Sequence, residues 1–167
     1  MKIYQTFIKS ILFAGLLGLS FSCIEIKPSF PELPSETQTG ENTFGCLVNN
    51  ELVFKEEGGY AGAAYNQTAN QLRIHAYCQF GQQFIFLIND PLRKQYALSI
   101  DTLHYLPPNS TEWIEATQVG SVHLTRIDAQ SPGQSVVSGT FIFDMNETKK
   151  IPIYVTKGRF DLTLNTY

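Results

Sequence analysis

From Thr43 to Tyr167 side-chain polarity alternates with a period of two and almost nowhere with a period of 3.6. A chain patterned in this way can bury one face only as strands. Phe44, Cys46 and Val48 alternate with Gly45 and Leu47, and Asn49-Asn50 supplies a two-residue hairpin turn into Glu51–Phe54, because Asn tolerates positive φ. Leu72, Ile74, Ala76 and Cys78 share one face, while Arg73, His75, Tyr77 and Gln79 share the other. Residues 84–88 are apolar on both faces, as in a central strand, and Asn89-Asp90-Pro91 breaks the run.

The rhythm continues through 95–100, 112–118, 121–127, 134–143, 150–156 and 159–164, with turn signals at Pro107-Pro108-Asn109, Val119-Gly120, Ser131-Pro132-Gly133 and Lys157-Gly158. No stretch carries a capped amphipathic helix pattern. The expectation is an all-β domain of about nine to ten short strands, an antiparallel β-sandwich or a partly open β-barrel. Its 125 residues, 43–167, suit one domain with one core.

Ahead of this domain, Lys2 and Lys9 precede Ile11–Phe21, an uncharged run of eleven residues against the roughly 20 that cross a bilayer as a helix. Residues 1–22 therefore read as a signal peptide. Ser20-Phe21-Ser22-Cys23 resembles the lipobox of bacterial lipoproteins, in which the cysteine becomes the acylated first residue; Ser20 stands where leucine is usual and Phe21 is bulkier than the family pattern. Two or more acyl chains on Cys23 would hold the protein on a membrane surface without spanning it. Residues 23–42 follow as lipidated cysteine and tether, with Pro28, Pro31 and Pro34 three apart and polar residues after them. A polyproline-like path of about 3.1 Å per residue gives the sixteen residues from Lys27 to Asn42 a reach of roughly 50 Å.

Loss of residues 1–22 would take Lys2 and Lys9 and move the formal charge from −3 to −5. Such a chain has no basic stripe for nucleic acid, since its Lys/Arg groups do not exceed the pairs Arg93-Lys94 and Lys149-Lys150.

Asn42–Asn49 (NTFGCLVN), Leu124–Asp128 (LTRID), Val137–Phe143 (VSGTFIF) and Gly158–Asp161 (GRFD) resemble a family of small Bacteroidetes lipoproteins that carry a domain of unknown function. The resemblance implies an envelope lipoprotein and transfers no activity or ligand. On the residues themselves, Ser138-Gly139 marks a bulge or a close backbone approach. Phe160, Leu162 and Leu164 point to the core, and Gly158 suits a turn. Arg159 and Asp161 lie two apart on the outer face, as a surface ion pair or a binding pair.

Cys46 and Cys78 fall on core faces; they are either a disulfide, which the envelope would preserve, or two buried thiols. Neither has CxxC spacing, and His75, His104 and His123 show no ligand or triad spacing, so no metal, cofactor or catalytic residue is expected. His104 reads as a loop residue and Gly58–Ala64 as a flexible loop. Aromatic side chains give the one positive hint: Arg73, His75 and Tyr77 form a candidate ligand face, and Tyr105, Trp113 and Tyr154 are further candidates for stacking on a glycan or peptide.

These readings converge on a non-enzymatic lipoprotein anchored to the outer membrane, acting as a binding or interaction module for a glycan or an envelope protein. Two other classes remain: a structural envelope protein, and a hydrolase using the scattered His, Asp and Arg residues.

Overall fold

Alternation along the chain builds eleven strands in a computed structural model that describes residues 32–55, 59–99, 101–115, 118–128, 135–145 and 152–167. The signal-peptide segment, Cys23 and the first part of the tether lie outside the described residues. The strands are β1 (Thr43–Val48), β2 (Glu51–Phe54), β3 (Ala61–Asn66), β4 (Gln71–Tyr77), β5 (Gln83–Asn89), β6 (Gln95–Ala97), β7 (Leu103–Leu106), β8 (Ile114–Glu115), β9 (Gln118–Ile127), β10 (Val136–Met145) and β11 (Ile153–Thr166). No α-helix occurs among them; a single 3-10 turn, Gln79–Gly81, joins β4 to β5.

Hydrogen bonding runs in the order β6-β9-β10-β11-β3-β4-β5-β7-β8, with β1 added to β11 and β2 to β1. The whole is a curled, half-barrel sheet, antiparallel except where the end of β11 runs parallel to β3, Leu164 opposite Ala63. β11 is thus shared by two packed halves: sheet A, with β6, β9, β10, β1 and β2, and sheet B, with β3, β4, β5, β7 and β8. Rings fill the layer between them. Phe44 of β1 lies 5.2 Å from both Phe84 of β5 and Phe141 of β10, and Phe86 lies 4.9 Å from Phe141. All four rings are buried, and each stabilises the fold by about 2–3 kcal/mol through removal of its surface from water.

Local chemistry explains the turns and irregularities. Asn49 and Asn50 take φ of 50° and 69° between the paired residues Val48 and Glu51, the two-residue hairpin that their tolerance of positive φ allows. At Ser138/Gly139 the β9–β10 register shifts. A Cβ at Gly139 would meet the carbonyl oxygen of His123, so the glycine permits the close approach that the bulge makes.

Four elements differ from the sequence reading, the first being the expected turn at Val119-Gly120, which lies inside β9. Ala61–Asn66, within the Gly/Ala-rich stretch taken as a loop, is a strand whose buried alanines face the core beside β4. His104 lies on β7, opposite Ile85, and not in a loop. Lys157-Gly158 does not separate two strands. The chain runs on as β11 through a bulge at which Lys157 has φ 52° and the ring of Phe141 occupies the space a side chain at Gly158 would need.

The largest correction concerns Arg159, Asp161 and the second half of the tether. Asp161 does lie on the outer face of sheet A, yet it is 1% exposed, because residues 32–42 lie over it as a strap. Thr37 Oγ1 donates to Oδ2 at 2.7 Å, Thr39 N–H to Oδ2 at 2.9 Å, Gly40 N–H to Oδ1 at 2.9 Å and Ser138 Oγ to Oδ1 at 2.6 Å. Burial alone would raise the pKa of this carboxyl; the hydroxyls of Ser138 and Thr37 and the N–H groups of Gly40 and Thr39 outweigh that and hold it down at about 2.

Around this latch, Arg159 Nη1 donates to Pro34 O at 2.9 Å, Arg126 Nη1 to Gln38 O, and Thr163 N–H to Asn42 Oδ1 at 2.8 Å. Pro34 packs on Gly45. Asp128 accepts from Arg126 Nε at 2.6 Å and orients it. Arg159 and Asp161 are therefore not an ion pair with each other; each grips the strap. Asn42, Arg126, Asp128, Ser138, Arg159 and Asp161 thus meet at this one place.

Candidate functional site: the outer face of sheet B

On sheet B the alternation sends Leu72, Ile74 and Ala76 of β4, Phe84, Phe86 and Ile88 of β5, and Leu103 and Tyr105 of β7 into the core. Their neighbours face outward. Register then assembles rows across the strands: Tyr77 opposite Gln83 opposite Leu106, His75 opposite Ile85 opposite His104, and Arg73 opposite Leu87. Arg73, His75 and Tyr77, expected on one face, stand side by side on it.

On β3, Gly62 lies opposite His75 and leaves a gap that the ring of Tyr60 fills; a Cβ there would meet the tyrosine hydroxyl and ring. Tyr60 meets His75 edge-on at 5.8 Å, and His75 meets Tyr77 at 5.4 Å. Two strands away, Trp113 stands edge-on to His104 at 6.5 Å and 88°. Two groups of rings thus flank Ile85 and Gln83, their strands about 10 Å apart at ~4.8 Å per strand step. Tyr60, Tyr77 and Trp113 keep 54%, 43% and 39% of their surface in water. Leu106, on the same outer face, is buried without joining the inter-sheet core.

Half-buried His75 contacts Gln83 Oε1 through Nε2 at 3.3 Å. Desolvation lowers its pKa, against the raising effect of the Gln83 contact and with the charge of Arg73 as a further lowering influence. The imidazole is therefore neutral at pH 7. Its side-chain partner is an amide, so nothing orients it as a general base toward a hydroxyl or thiol. Among the described residues no group of three or more His, Cys, Asp or Glu side chains is placed to hold a metal ion. The chemistry this surface offers is stacking on ring faces, with imidazole, amide and guanidinium groups at hydrogen-bonding height.

Other aromatic candidates separate. Tyr105 is in the core, its hydroxyl donating to the buried Gln82 Oε1 at 2.7 Å. Tyr154 is exposed but on sheet A, beside the Asn49 turn. His123 is exposed on β9 of sheet A, paired with Gln95 of β6, so the three histidines share no site. Cys46 and Cys78 are both buried and carry no bond between their sulfurs. Burial raises the Cys46 pKa well above its ordinary value, and the charge of Cys78 raises it further.

Sequence reasoning missed Tyr60, Gln83 and Ile85 as members of the face, and it did not join His104 to Trp113. The chain matches no family model, no curated protein and no solved structure.

Proposed function

We propose that this chain is a lipid-anchored envelope protein, attached to the outer membrane through acylated Cys23, whose β domain is a non-catalytic binding module. The observation that carries the reading is the grouping on one sheet face of Tyr60, His75 and Tyr77 on one side and His104 and Trp113 on the other, with Tyr60, Tyr77 and Trp113 left partly in water; the other exposed rings, among them Tyr154, stand apart from this group. Aromatic side chains that are amphipathic, stiff and half exposed are the groups a binding surface uses. The anchor rests on the short apolar run and on Cys23 with its lipobox-like approach.

Trp113 is the one tryptophan of the chain, so its emission reports on this face directly. Full-length protein in detergent, mixed in turn with polysaccharide, protein and lipid fractions of the envelope, is expected to show a saturable change in Trp113 emission with one class. No change with any class would contradict the binding reading. In parallel, Cys23→Ala is expected to move the protein from the membrane pellet to the soluble fraction and to abolish incorporation of a labelled fatty acid.

A further inference from the structure

We propose that the ligand of the sheet B face is a glycan chain lying across β4, β5 and β7, with one sugar stacked at Tyr60 and Tyr77 and another at Trp113. This rests on the binding-module reading and adds the chemical class of the ligand.

Three features of the face select that class. The first is the alternation of surfaces. A sugar ring has a C–H face and a rim of hydroxyls, and here ring faces alternate with Gln83, His75 and His104, which donate and accept at the same level. The neutral His75 imidazole and the Gln83 amide can each meet a hydroxyl in either role.

The second is charge. Arg73 is the one permanent cation among the paired residues of β4, β5 and β7 in these rows, and none of those residues is a carboxylate; one strand further out, Glu115 of β8 pairs with His104. A phosphate backbone needs several cations at once, and a basic partner needs acids. A neutral chain, or one with an occasional carboxylate near Arg73, needs neither.

The third is the state of the apolar side chains. Protein partners bind tightly by burying an anchor side chain in a fully desolvated pocket. On this face Leu106 is buried and Ile85 and Leu87 are partly covered, so the surface left open is ring face and ring edge. Such a surface stacks flat groups.

The test is titration of full-length protein in detergent with mixed-linkage β-glucan, xylan, mannan and polygalacturonate, read by Trp113 emission and by calorimetry. At least one polysaccharide is expected to bind saturably. Tyr77→Ala and, separately, Tyr60→Ala are expected to weaken it about tenfold, the loss of one stacking contact, with unchanged thermal midpoints. Tyr154→Ala, an exposed ring on the other sheet, is expected to leave binding unaltered. If no polysaccharide changes the emission while an envelope protein or lipid fraction does, the glycan assignment falls and the binding-module reading stands. If no class changes it, both fall. Equal losses from Tyr154→Ala and Tyr77→Ala would also overturn the assignment, because the site would not be this face.

Discussion

The two outer faces of this domain solve opposite problems. On sheet A a carboxylate, Asp161, sits in the middle of a strand where alternation points it outward, and the chain covers it with its own residues 32–42. On sheet B the outward positions carry rings, imidazoles and one guanidinium, and the chain leaves them uncovered. A buried carboxylate needs several donors at fixed places, so the strap that supplies them must be held in one geometry. Half-exposed rings make no such demand. They are stable in water and more stable against a partner. A face with obligatory internal partners is structural, and a face without them is available.

The largest expected effect breaks the closed face. Asp161→Ala removes the shared acceptor of Thr37, Thr39, Gly40 and Ser138, and urea denaturation is expected to show a stability loss of about 3 kcal/mol. A change below about 1 kcal/mol would mean that the strap is a tether after all.

Acid sharpens the same point without a mutation. Because the folded-state pKa of Asp161 lies near 2 and the unfolded value near 3.8, the unfolded chain binds the proton more readily. This contribution is fully present above pH ~4 and is lost as pH falls toward 2; it amounts to about 2 kcal/mol. The acid limb of the stability profile is expected to be correspondingly shallower in Asp161→Asn.

Next in size, Arg126→Ala loses the donor to Gln38 O and the Asp128 contact at the partly buried rim of the strap. Thermal melting is expected to report about 1 kcal/mol of destabilisation. The smallest effect belongs to the open face: Tyr77→Ala is expected to change stability by no more than about 0.5 kcal/mol. A loss of several kcal/mol there would make the rings structural and erase the contrast.

Much of the architecture was legible because the signal for a strand is local. The two-residue turn at Asn49-Asn50, the inward set Leu72, Ile74 and Ala76, and the bulge at Gly139 all follow from residue type and period. Ala61–Asn66 escaped because alanine and glycine have low strand propensity; β3 is held in the sheet by its neighbours β4 and β11. His104 and the continuity of β11 escaped for related reasons: a strand of four residues beside two prolines, and a bulge that mimics a turn.

The strap was illegible on different grounds. Prolines and polar residues are the composition of a linker, and several of the groups that grip Asp161 are backbone N–H donors, which have no sequence signature. Of the candidate site, Arg73, His75 and Tyr77 could be read from a single strand. Tyr60, Gln83 and the His104–Trp113 pair joined them only through the register between neighbouring strands, which side-chain periodicity within one strand does not carry.

The contrast between the faces can be measured in one experiment, paramagnetic relaxation of the protein's NMR signals by a neutral soluble gadolinium chelate. The expected result is strong relaxation of the ring protons of Tyr60, Tyr77 and Trp113 and almost none at Asp161 and Ser138 beneath the strap. Strong relaxation at Asp161 and Ser138, or shielding of the three rings in the unliganded protein, would contradict the account.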